Sequence, residues 1–146
     1  MHLDEHLSDL LAGAEVYGFA VEHVAAGGAE PAYAHTVGLT PQRLPELALT
    51  GVDADLACLL LGLVARVLTD RDAGEPAVAG RLAVPGFQPF WLLPLAHPTR
   101  RLASAVSLYG PKVTGLQAVY ADLGGRFPWE AGYEHHRQPL LGHAPA

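Results

Sequence analysis

The chain has 146 residues, 15 acidic against 9 basic, a formal charge of -6 with histidine neutral, and half of its residues are apolar. A chain of this length buries roughly 70% of the surface its unfolded form exposes, so one domain can form without disulfides or a structural metal, and the lone Cys58 offers neither a disulfide nor a Cys-based zinc site. A negative charge with one lysine (Lys112) excludes nucleic acid as the partner, while the acidic N-terminus and a longest nonpolar run, Leu56 to Ala65, of about half a membrane span leave a cytoplasmic protein with no membrane partner as the expectation.

In chain order, Leu3, Leu7, Leu10 and Leu11 fall at helical spacing and predict a short amphipathic helix stopped by Gly13. From Val16 to Val24 the period becomes two, and after the Gly27-Gly28 turn it resumes through Tyr33, His35, Val37 and Leu39, which predicts a β-hairpin. Glu46 to Thr50 reads as a short strand ending at Gly51. Asp53 then reads as the N-cap of a helix carrying Leu56, Leu59, Leu60, Leu63, Val64, Val67 and Leu68. Because Cys58 and Leu61 lie off that stripe, this helix is apolar nearly all round, and the expectation is a buried central helix with an inert, buried Cys58 thiol.

Arg81 to Val84 is a strand candidate, and Pro89 to His97 another, with Pro94 marking an edge or bulged strand. Thr99 caps a predicted helix that ends at Gly110; Leu116 to Ala121 is the last strand, closed by the Asp122-Leu123-Gly124-Gly125 turn, and an extended tail follows. The expected fold class is α+β: a single domain over residues 1–146 with an antiparallel, strongly curved sheet packed on the helix of residues 53–69.

Four stretches share their order with a known family: Ala34-His35-Thr36-Val37-Gly38-Leu39; Pro45-Glu46-Leu47-Ala48-Leu49-Thr50-Gly51; Gln117-Ala118-Val119-Tyr120-Ala121-Asp122; and Gly125-Arg126-Phe127-Pro128-Trp129-Glu130 with Gln138-Pro139-Leu140-Leu141-Gly142. Together they resemble the bacterial family called domain of unknown function 4262, over nearly the whole chain after residue 15. His35 stands where that family usually has tyrosine. The resemblance implies a single cytoplasmic domain and carries over no activity.

Chemistry, if present, lies with the 8 histidines and their neighbours. His23 and His35 share a parity across the hairpin, so they are expected on one face, about 5 Å apart at Cβ if opposite and roughly 7 to 8 Å if diagonal. That spacing allows a shared proton, a ligand clamp or two metal ligands with Glu46, Asp122 or His97 as a third; the plain reading is one core and one rim histidine. His97 ends a strand, where loops on a rigid scaffold often carry function. Trp129 beside Glu130 can wall a pocket and desolvate the carboxyl, or Phe127 and Trp129 can plug the core and leave Glu130 in solvent. Asp122 is a turn residue, and His135-His136, pointing to opposite faces of any regular strand, are expected at the surface.

Two functional expectations follow. One is a small-ligand pocket, enzymatic or not, with His35, His97 and Glu130 as catalytic candidates and Tyr33, His23 and Trp129 as ligand-binding ones, converging on one concavity. The other is a non-enzymatic interaction module, a homodimer in its simplest form, using an edge strand or the apolar Phe87 to Leu93 region. A histidine-based metal site is a weaker third. No P-loop and no Gly-x-Ser-x-Gly occurs, so nothing names a cofactor.

Overall fold

The computed structural model describes residues 5–70 and 79–145. Among them six strands form one open sheet in the order β1-β2-β3-β6-β5-β4: β1 (Ala20–Val24), β2 (Tyr33–Val37), β3 (Glu46–Thr50), β4 (Gly80–Leu82), β5 (Phe90–Pro94) and β6 (Gly115–Tyr120). The helices are α1 (Glu5–Tyr17), α2 (Ala54–Thr69), α3 (Pro98–Arg101) and α4 (Ala103–Tyr109). The α+β class and the packing of helix 53–69 on the sheet hold. The sheet is mixed rather than wholly antiparallel, because the chain leaves β3, crosses through α2, β4, β5, α3 and α4, and returns as β6 parallel to β3.

Alternation along the strands divides the core in two. Leu47 and Leu49 of β3, Phe90 and Leu92 of β5, and Ala118 and Tyr120 of β6 face α2, which buries Leu60, Leu61, Val64 and Leu68 against them. Each such leucine, removed from water, contributes about 1.5–3 kcal/mol. Asp53 starts the helix as expected, its side chain accepting the Leu56 N–H at 2.9 Å. The helix is not buried all round, however. Among the described residues nothing covers its outer side, where Leu59 is 58% exposed and Cys58 is exposed too.

The opposite face carries Val37 and Ala48, covered by Leu10 of α1, by Leu102 and Ala105 at the α3–α4 corner and by Leu141 of the tail. Beside them Leu93, Val119 and Ala121 lie under Phe127, Trp129 and Leu140. The first helix runs four residues beyond Gly13 and ends at Gly18, whose φ of 91° and N–H to the Ala14 carbonyl close the last turn. Leu3 lies outside the described residues. β5 is an internal strand; Pro94 is its last residue, beyond the three-residue pairing with β4, so its missing N–H costs no ladder bond. The helix predicted from Thr99 is two pieces broken at Leu102, with His97 at the start of the first.

Candidate functional site

Most motif residues bond to one another. The Glu46 carboxylate, fully buried at the start of β3, accepts from Thr36 Oγ1 (2.8 Å), from the N–H groups of Leu39 (3.2 Å) and Thr40 (2.8 Å), from that of Gly38 and from Thr40 Oγ1. Thr36 Oγ1 in turn accepts the Leu47 N–H at 2.9 Å, so the Thr-Val-Gly-Leu strand and the Pro-Glu-Leu element form one closed network. Gln117 does the same for the tail: its carbonyl oxygen accepts Leu141 N–H at 2.7 Å and its amide donates to the Pro139 carbonyl at 2.9 Å. Gln138 reads both main-chain groups of Tyr120, where β3 no longer pairs with β6. Gly51 lets this strap pass: at φ 81° a Cβ there would stand 2.5 Å from the Arg137 carbonyl oxygen.

The β1–β2 register separates the two hairpin histidines. His35 pairs with Glu22 and His23 with Ala34, so the histidines leave opposite faces; the turn is one residue out of the phase that would align them. His35 is fully buried, 6.0 Å from the Tyr33 ring. Its Nδ1 faces the Thr36 carbonyl at 3.0 Å and its Nε2 the Glu22 carboxylate at 2.9 Å. Each ring nitrogen thus has an oxygen partner within hydrogen-bond distance, one from the main chain and one from a carboxylate. Glu22 also accepts from Ser104 Oγ at 2.9 Å and contacts His6 Nε2, which ties α1, β1, β2 and α4 to one carboxylate. The His35 hydrogen bond, with those of His6 and Ser104, holds its carboxyl at about 2 against the desolvation that opposes it.

The remaining candidates do not join His35. Tyr33 donates to the Arg101 carbonyl at 2.8 Å and lies under the Arg101 guanidinium. His23 and Tyr33 line a groove of about 660 Å³ at the end of the hairpin, and Trp129 lines another of about 470 Å³. His97 is exposed in the left-handed region, with φ 53°. Trp129 stacks on Phe127 at 5.3 Å as a plug, and Glu130 is exposed, its Oε1 accepting the Phe127 N–H at 2.8 Å. Asp122 accepts from the Arg126 and Glu134 N–H groups, both at 2.8 Å, and these bonds hold its carboxyl below the ordinary value. Among the described residues no three His, Cys, Asp or Glu side chains are placed to hold a metal ion.

A different set converges. Where β6 ends, a cavity of about 270 Å³ opens between Leu56 and Leu60 of α2, Phe87 of the β4–β5 loop, and Leu123. Its polar wall is Gln88, Tyr120, His135 and His136. The Tyr120 hydroxyl is hydrogen-bonded to His136 Nε2, and the His135 ring stands 4.1 Å from that of His136 and 5.4 Å from that of Tyr120. Burial pushes the Tyr120 phenol up and the His136 imidazole down, the neighbouring His135 adding to the latter, so both partners are held neutral. No regular strand passes through residues 133–136, and that irregular backbone is what lets two adjacent histidines face one ring. Both histidines remain exposed, as their position in the tail implies, yet they belong to the pocket.

A family model described as domain of unknown function (DUF4262) matches residues 13–134. The chain belongs to that family. No curated protein and no solved structure matches it. The family span holds the Glu46, Glu22 and Asp122 networks and Tyr120, and it ends one residue before His135. Sequence reasoning missed Tyr120 as a site residue and read His135 and His136 as surface. The available signal was a tyrosine at a strand end followed by a Gly- and Pro-containing tail, in which an irregular backbone can bring adjacent histidines together. Among the described residues no helix is long and apolar enough to cross a membrane.

Proposed function

We propose that this chain is a small-ligand-binding domain whose pocket is the cavity at the end of β6. The observation that carries the reading is the Tyr120–His136 pair: two hydrogen-bonded titratable groups, shifted in opposite directions, on the wall of a mostly apolar cavity. Apolar concavities with a few convergent polar groups and perturbed titrations are the ordinary form of a binding site. The test is a fragment panel titrated into the isotope-labelled full chain. Hits should move the His135, His136, Leu56 and Leu60 side-chain resonances and lose that effect in His136→Ala. Hits that cluster in the other grooves, or none at all, would remove the reading.

A second reading is favoured by the rim of the same cavity, where Leu123 is 90%, Phe87 44% and Leu56 38% exposed. Such a patch suits contact with a second copy of the chain. Sedimentation separates the two: a concentration-dependent dimer broken by Leu123→Asp supports the interface, and a monomer that binds fragments supports the pocket.

A further inference from the structure

We infer that the cavity selects a neutral aromatic molecule carrying an N–H or O–H donor, a phenol or an indole in kind. The inference rests on the pocket reading above and narrows it to a class of ligand.

Charge is the first argument. None of the residues that line the cavity is Asp, Glu, Lys or Arg, so an anion finds no fixed cation and a cation no carboxylate. Moving either out of water without a partner is costly. The Tyr120–His136 pair adds no compensating charge, being held neutral.

Size and lining come next. A cavity of about 150 Å³ with apolar walls holds benzene. At about 270 Å³ this one has room for a substituted ring or a fused bicycle. Phe87, Tyr120 and His135 present rings, and Leu56, Leu60 and Leu123 supply apolar contacts, a lining suited to a flat apolar body.

The hydrogen-bond inventory gives the donor. Between two neutral groups the phenol is the stronger donor and the imidazole nitrogen the stronger acceptor, so the Tyr120 hydroxyl gives its proton to His136 Nε2. The Tyr120 oxygen therefore has its proton engaged and its lone pairs free. A ligand meeting it must donate. Gln88, half-buried on the cavity wall, has no hydrogen-bond partner among the described residues, and its carboxamide is available to a second polar atom of the ligand.

Five probes of similar size test this on the full chain by calorimetry and side-chain NMR: phenol, indole, toluene, benzoate and cyclohexanol. Phenol and indole should bind at least about tenfold tighter than the other three, because toluene lacks the donor, benzoate is charged and cyclohexanol lacks the flat ring. Tyr120→Phe should cost phenol about tenfold and leave toluene unchanged. Its main-chain bonds to Gln138 do not involve the hydroxyl, so the fold is kept. Gln88→Ala gives an independent check, weakening a para-substituted phenol with a polar group more than phenol itself. Toluene or benzoate binding here as tightly as phenol overturns the donor or the neutrality argument and leaves the pocket standing. No probe moving His135, His136 or Leu60 overturns the pocket and the ligand class with it.

Discussion

The Glu46 network and the Tyr120–His136 pair are both polar clusters against the core, and they differ in how completely they are used. Glu46 has no exposure and five donors on two oxygens. Tyr120 and His136 share one hydrogen bond beside open space, with lone pairs left over. A saturated buried group has nothing to offer a ligand, and its role is to hold the chain in one arrangement. An unsaturated group on a cavity wall costs stability that no internal contact repays. The two therefore predict opposite balances of stability and binding when they are broken.

The largest effect is expected at the saturated end. Glu46→Ala orphans two hydroxyls and three backbone N–H groups inside the protein, and it should cost about 3 to 5 kcal/mol of unfolding free energy in a denaturant titration. A domain of this size has about 5 to 15 kcal/mol in all, so a loss under about 1 kcal/mol would mean that water replaces the carboxylate and that the site is not closed. Fragment binding should follow only the folded fraction.

Glu22 sharpens the comparison because it is satisfied but only half-buried. Glu22→Gln should cost about 1 to 2 kcal/mol at neutral pH through the lost charge-assisted bond to His35. Its carboxyl titrates at about 2 in the folded chain against an ordinary 4.5. The native state thus binds that proton less readily than the unfolded one, so the contribution is complete above about pH 4.5 and lost as pH falls towards 2. In the variant, the slope of stability across that window should flatten. An unchanged slope would assign the acid sensitivity to other carboxylates, Asp122 first, since its carboxyl is also held low.

How far the sequence reveals these roles follows from the range of the interactions. β3 and α2 are legible because their signals are local: an apolar strand closed by Gly51, then Asp53 three residues ahead of the N–H it caps. The hairpin is legible as a hairpin, but its register depends on one residue of turn, and that residue decides whether His35 meets His23 or Glu22. Glu46 gives no local sign of burial, since its partners lie on the preceding strand and turn, six to ten residues back. The outer side of α2 could be judged only by knowing that no second layer covers it among the described residues, as the exposure of Leu59 shows. The pocket is the least legible of all, because its parts come from residues 56 to 136 and its histidines converge through backbone that no periodicity describes.

The smallest effect is expected at His136. Its imidazole is held below the ordinary value first by burial, so the folded state resists the proton that the unfolded chain accepts near pH 6.5. Stability from this group is complete above about pH 6.5 and lost as pH falls through the lowered value, a window above that of Glu22. His136→Ala should change stability at neutral pH by about 1 kcal/mol, one part-buried hydrogen bond, and should remove the part of the slope that lies just below pH 6.5. Its effect on fragment binding should be the larger one, because the imidazole orients the Tyr120 hydroxyl. A variant that loses stability without losing binding would make His136 another Glu46, a stitch and not a wall of the pocket.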